Sequence, residues 1–86
     1  MKDSHSILIT GGTGSFGKAF VRSVLQKNSY IQRLVIYSRD ELKQLEMEQE
    51  LNAQQYKGLR YFIGDVRDED RLKRAMEGID TVIHAA

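Results

Sequence analysis

Apolar side chains in this chain fall into four short blocks separated by longer charged stretches. The blocks are Ser6 to Thr10 (Ile7, Leu8, Ile9), Leu34 to Tyr37, Leu59 to Ile63 and Thr81 to His84. The first two are continuous apolar runs, as expected of strands buried on both faces of a parallel sheet, whereas the third carries Arg60 and suits an edge. Three helical segments lie between them. About Ser15 to Lys27, Phe16, Phe20 and Val24 recur at helical spacing and predict one inward stripe. About Asp40 to Leu51 the chain is rich in Glu, Gln, Leu and Lys, with Leu42 and Leu45 as the predicted inward pair. The third, about Glu69 to Glu77, follows Asp68, has acids in its first turn (Glu69, Asp70) and bases later (Arg71, Lys73, Arg74). It stops at Gly78, which suits a left-handed cap.

The order βαβαβαβ with right-handed crossovers predicts an α/β fold whose parallel sheet has strand order 3-2-1-4. The chain reverses direction after the third strand, so the third helix is expected on the face opposite the first two. The crevice beside the first strand then becomes a switch point, where such sheets bind ligands. Residues 1–86 are expected to be the front half of a doubly wound domain, a piece of a longer chain. The fourth strand would then be an open edge and the sheet half covered beneath the third helix.

At the end of the first strand stands GGTGSFGKAF. From Gly12 it spells G-x-x-x-x-G-K, the start of a triphosphate loop, but Ala19 occupies the place where such a loop needs a magnesium-binding hydroxyl. From Gly11 it spells G-x-x-G-x-x-G, a dinucleotide-binding turn. Gly11 would permit the sharp exit from the strand, Gly14 the approach of a pyrophosphate, and Gly17 close packing of helix on sheet. The amides near Ser15 and Phe16 would face the anion, and Thr13 and Ser15 would add hydroxyl donors. A glycine pattern alone is weak; the strand before it, the helix after it and a second strand about 20 residues on give it weight. Lys18 is left as a surface helix residue.

The end of the second strand decides between cofactors, since NAD sites typically place a carboxylate there and NADP sites place groups that accept a phosphate. Here the chain reads Tyr37, Ser38, Arg39, Asp40, Glu41, Leu42, Lys43. A hydroxyl and a guanidinium take the deciding place and Lys43 adds a second cation one helical turn on, which favours NADP. Ser38 and Glu41 also satisfy a capping box, a purely structural reading that is compatible with an anion site; Asp40, one residue late, still offers a carboxylate to a ribose. After the third strand, Asp65 and Val66 are placed to take the adenine amino group and frame the ring. Ala85 and Ala86, after the fourth, leave room for the nicotinamide half. His84 has no partner that makes a triad or a metal site, and reads as structural.

Composition narrows the classes. Thirteen basic and 12 acidic side chains give a net charge of +1, so no footprint for nucleic acid or an anionic membrane stands out. Cysteine is absent, which removes disulfides, thiolate metal sites and a cysteine nucleophile. With no long apolar run and no signal-peptide pattern at Lys2 to His5, a soluble, cytoplasmic protein is expected. A chain of this length buries roughly 60 to 65% of its unfolded surface, so the core must be thin.

ILITGGTGSFGKAF, YSRDELKQ, RYFIGDVRDEDRL and IDTVIHAA together cover most of the chain. With these stretches the sequence resembles the extended short-chain dehydrogenase/reductases with their Rossmann-type fold, and more narrowly the inverting UDP-N-acetylglucosamine 4,6-dehydratases of bacterial surface-sugar synthesis. The resemblance implies NADP held through Thr13, Gly14, Ser15 and Phe16, through Ser38 to Lys43, through Asp65 and Val66, and through Ala86. It implies oxidation of a UDP-sugar at C4, loss of water across C5 and C6, and return of the hydride to C6 with inversion at C5. The pathways implied lead to pseudaminic acid on flagellin or to capsule and lipopolysaccharide sugars, and a homo-oligomer is expected.

The family's Tyr-x-x-x-Lys pair is missing from this chain. Four positions after Tyr30, Tyr37, Tyr56 and Tyr61 stand Leu34, Glu41, Arg60 and Asp65. No catalytic residue is assigned, and the chain alone is expected to be inactive. Alternative readings are a non-catalytic NADP-sensing module, a nucleotide-sugar epimerase of the same superfamily, or a self-associating fragment.

Overall fold

The computed structural model describes residues 5–11, 13–27 and 31–85. Four strands, β1 (His5–Thr10), β2 (Ile31–Ser38), β3 (Leu59–Ile63) and β4 (Thr81–His84), alternate with α1 (Ser15–Lys27), α2 (Glu41–Glu50) and α3 (Glu69–Ala75). They form one parallel sheet in the order β3-β2-β1-β4, the expected Rossmann-type arrangement. β2 starts earlier than its apolar block because Ile31 and Arg33 pair with His5 and Ser6. Gly58, just before β3, lies against the start of β2, where its carbonyl accepts from the Leu34 amide and an added Cβ would lie 2.7 Å from the Gln32 carbonyl oxygen.

Paired residues of parallel strands share a face, and the two faces have separate cores. Ile9, Leu34, Ile36 and Leu59 pack with Val21 and Val24 of α1 and with Met47 of α2. On the other face Leu8, Val35 and Tyr37 pack with Ala75 of α3, flanked by Phe62 and Leu72. The third helix therefore lies opposite the first two.

The helices are rotated relative to their apolar patterns. In α1 the inward residues are Gly17, Val21 and Val24. Phe16 is 63% exposed and stacks on the half-buried Phe20, ring centroids 6.4 Å apart. The Cβ-free Gly17 is the residue of the first turn that faces the sheet, which turns Phe16 outward. In α2 the predicted pair is wrong: Leu42 and Leu45 are 65% and 55% exposed, while Gln44 and Met47 are buried. The Gln44 amide donates to the carbonyls of Ser38 and Phe62 at 3.3 and 3.0 Å, capping the ends of β2 and β3. The Ser38 carbonyl is also met by the Gly64 amide, so the Phe62 carbonyl is the one that depends on Gln44, and an unmet buried carbonyl costs about 1 to 3 kcal/mol.

The capping box also gives way. Asp40 caps α2, its carboxylate accepting from the Lys43 amide at 3.0 Å, while the Ser38 hydroxyl accepts from the Asp40 amide at 3.1 Å. Asp68 caps α3 as expected, and Gly78 has φ +77° in the turn that follows.

Candidate functional site

The carboxyl ends of all four strands converge on a cleft of about 570 Å³. Gly11 leaves β1 at φ +69°, a conformation natural to glycine. Its amide donates to the Tyr37 carbonyl at 3.0 Å, which locks the start of the turn onto β2. The Gly14 amide returns to the Gly11 carbonyl at 3.2 Å, and the Lys18 amide to the Gly14 carbonyl at 2.9 Å, so the turn feeds directly into α1. Thr13 is buried, with its hydroxyl 3.3 Å from that of Ser38. Among the described residues, an added Cβ on Gly14 would meet nothing closer than the Gly11 carbonyl oxygen at 3.7 Å. The space over the turn is thus open to a ligand.

No acid stands in the first turn of α1, whose leading amides have no intrahelical acceptor. Lys18 reaches away from the turn to Glu50, 3.5 Å distant, and Arg22 pairs with the same carboxylate. The lysine that a triphosphate loop would aim at phosphate is therefore tied to the end of α2.

Across the cleft, the loop after β3 is held to β2 by two bonds. The Gly64 amide donates to the Ser38 carbonyl at 2.9 Å, and the buried Tyr37 hydroxyl to the Asp65 carbonyl at 2.8 Å. Burial chiefly, with the charge of Asp68 next, pushes the Tyr37 pKa up, so the hydroxyl stays a neutral donor. The tyrosine ring fills the space where a side chain on residue 64 would go: a Cβ on Gly64 would sit 2.4 Å from the hydroxyl oxygen.

Asp65 carries the densest set of contacts. One oxygen accepts from the Arg67 amide at 2.9 Å and from its Nε at 3.2 Å, and the other accepts from Arg67 Nη2 at 3.0 Å. Arg39 Nη1 lies 3.5 Å from that second oxygen. The side-chain bonds from Arg67 first, its backbone amide next, hold the carboxyl well below the usual carboxylate range. The cleft rim thus carries Arg39, Lys43 and Arg67 beside Asp40 and Asp65.

Of the residues singled out from sequence, Gly11, Thr13, Gly14, Ser38, Arg39, Asp40, Lys43, Asp65, Val66 and Ala85 line this one cleft. Ser15 borders a smaller groove beside it, with Lys18 and Lys43, while Glu41 and Leu42 line a separate groove against Tyr61 and Ile63. Gly17 is buried under α1 and Phe16 stands exposed at its start. Ala86 lies outside the described residues. Three cleft residues were not anticipated: Tyr37, Gly64 and Arg67. His84 bonds through Nδ1 to the Thr10 hydroxyl, a link between neighbouring strands.

Residues 7–86 match the family model described as polysaccharide biosynthesis protein. The chain belongs to this polysaccharide biosynthesis family. Among its relatives, a UDP-N-acetylglucosamine 4,6-dehydratase (inverting) of Campylobacter jejuni is 56% identical over all 86 residues, which are 25% of that protein. Among solved structures, Pen from Bacillus thuringiensis is 38% identical with a TM-score of 0.85, covering 98% of this chain and 25% of that one. A dTDP-glucose 4,6-dehydratase of Bacillus anthracis, solved in complex with NAD, has a TM-score of 0.82 at 19% identity over 96% of this chain and 27% of its own. At that identity the likeness is one of fold. The chain spans about a quarter of the length of the curated relatives it matches.

Proposed function

We propose that this chain is the NADP-binding portion of a nucleotide-sugar 4,6-dehydratase acting on UDP-N-acetylglucosamine in bacterial surface-polysaccharide or flagellin-glycan synthesis. The observation that carries the reading is the meeting of the glycine turn with Ser38, Arg39 and Lys43 on one cleft. The open space over Gly14 and the acid-free start of α1 suit a pyrophosphate. Two cations and a hydroxyl at the end of β2 suit the 2′-phosphate that separates NADP from NAD. Asp65 and Val66, on the same cleft, suit an adenine, and the small side chain of Ala85 suits the nicotinamide half.

A nicotinamide cofactor supplies a reversible hydride acceptor when bound; the residues of this chain hold it and exclude the wrong dinucleotide. No tyrosine here is followed at the fourth position by lysine, so acid/base catalysis belongs to other parts of the parent protein. The chain by itself is expected to bind cofactor without dehydrating the sugar.

Calorimetric titration of the chain with NADPH and with NADH tests the assignment. NADPH should bind tighter, and Arg39→Ala should cost roughly 10- to 100-fold in NADPH affinity, the worth of one charge-assisted phosphate contact, with little change for NADH. Equal affinities in the unaltered chain, or a preference that survives Arg39→Ala, would refute it. For the parent protein, a product from UDP-N-acetylglucosamine that keeps its C6 oxygen would refute the dehydratase reading.

A further inference from the structure

Arg67 follows the third strand two residues after Asp65 and has no part in the reading above. Its side chain is 80% exposed, so packing does not explain its conformation. Among the described residues, what orders it is Asp65: three of its N–H groups, one from the backbone and two from the guanidinium, close on the two carboxylate oxygens between 2.9 and 3.2 Å. Arg39 touches the same carboxylate only at 3.5 Å, and its side chain is 74% exposed. Two guanidinium groups therefore share one carboxylate at the mouth of the cleft, unequally. The order of influences on the Asp65 carboxyl agrees, with the Arg67 bonds first and the Arg39 charge last.

This inequality has a consequence for a phosphate arriving beside Arg39. A bare Asp65 would do two harmful things: it would hold Arg39 as its sole counter-charge, and it would repel the dianion. With Arg67 forked onto it, Asp65 is already neutralised, and Arg39 is free to turn to the ligand. We propose that Arg67 is a positioning and specificity-determining residue, which neutralises Asp65 and so releases Arg39 to the 2′-phosphate of the dinucleotide. This rests on the NADP reading above. Arg67 acts through Asp65 and Arg39 and touches no reacting atom.

The test is a comparison of NADPH and NADH binding in Arg67→Ala, Arg67→Lys and Asp65→Asn/Arg67→Ala chains. Because Arg67 is exposed, the single substitutions should leave the circular dichroism as in the unaltered chain and lower the thermal midpoint by no more than Asp65→Asn does. Arg67→Ala should weaken NADPH by roughly 3- to 10-fold while NADH changes less than about twofold, since the penalty needs the extra phosphate. Arg67→Lys should recover part of the loss through charge without the fork. Removing the carboxylate as well should restore most of the preference for NADPH over NADH, because Arg39 then lacks its Asp65 partner and any adenine contact of residue 65 is common to both dinucleotides. Raising salt should shrink the Arg67→Ala effect. If the unaltered chain does not prefer NADPH, both the cofactor reading and this inference fall. If it does, and Arg39→Ala removes the preference while Arg67→Ala does not, this inference alone is overturned. Equal losses for NADPH and NADH in Arg67→Ala would also overturn it, by marking a role in loop structure only.

Discussion

Tyr37 shows how single residues set the cleft. Its backbone carbonyl fixes the glycine turn, its hydroxyl fixes the loop carrying Asp65, and its ring excludes any side chain at Gly64. Gly64→Ala should therefore destabilise the fold by about 1 to 3 kcal/mol, read from urea unfolding midpoints, as overpacking in a filled site does. Tyr37→Phe keeps the ring and removes one of two donors to the Asp65 carbonyl, the Asp68 amide at 3.0 Å remaining; about 0.5 to 1 kcal/mol is expected. A neutral result for Gly64→Ala would mean that the tyrosine can move aside without cost. None of this was readable from the sequence, where Tyr37 merely ended an apolar block and Gly64 merely followed one. Their roles come from a contact across 28 residues. Arg67 did leave a signal, an arginine two places after an acid at a strand end, which local spacing alone did not distinguish from surface charge.

Among the elements, α2 is the instructive case. Its extent followed from the run of helix formers between Asp40 and Leu51, since propensity is local, although its cap is Asp40 and not the Ser38 of the capping box. Its rotation did not, because it depends on which side chain can meet the strand-end carbonyls of Ser38 and Phe62. Gln44 can, and Leu42 and Leu45 cannot. Gln44→Leu should accordingly cost about 1 to 3 kcal/mol despite the gain in hydrophobicity, whereas Leu42→Gln or Leu45→Gln should stay within about 0.5 kcal/mol. Denaturant melts of the three variants check this, and the reverse ranking would contradict the rotation described. In α1, the same dependence on packing made Gly17 rather than Phe16 face the sheet.

At the scale of the whole molecule, topology was the best-read property. Continuous apolar blocks at Ile7 to Ile9 and Leu34 to Tyr37 marked central strands, the Arg60 block marked an edge, and chain order did the rest. Among the described residues no helix is long and apolar enough to cross a membrane. Stability should carry one acid-sensitive contribution. The folded pKa of Asp65 is depressed, so its contribution is complete above the ordinary value of 3.8 and is lost as pH falls below it toward the folded value. The difference in thermal midpoint between the unaltered chain and Asp65→Asn should therefore narrow below about pH 4; a difference that widens there would have the wrong sign. The central claim is that the glycine turn, the end of β2 and the loop after β3 hold one dinucleotide between them. Amide chemical-shift mapping of the isotopically labelled chain with NADPH tests it most directly. Shifts concentrated at Gly11 to Phe16, Ser38 to Lys43 and Asp65 to Arg67 are the predicted result; shifts centred on the groove of Leu45, Glu48 and Tyr61, or none at saturating nucleotide, would contradict it.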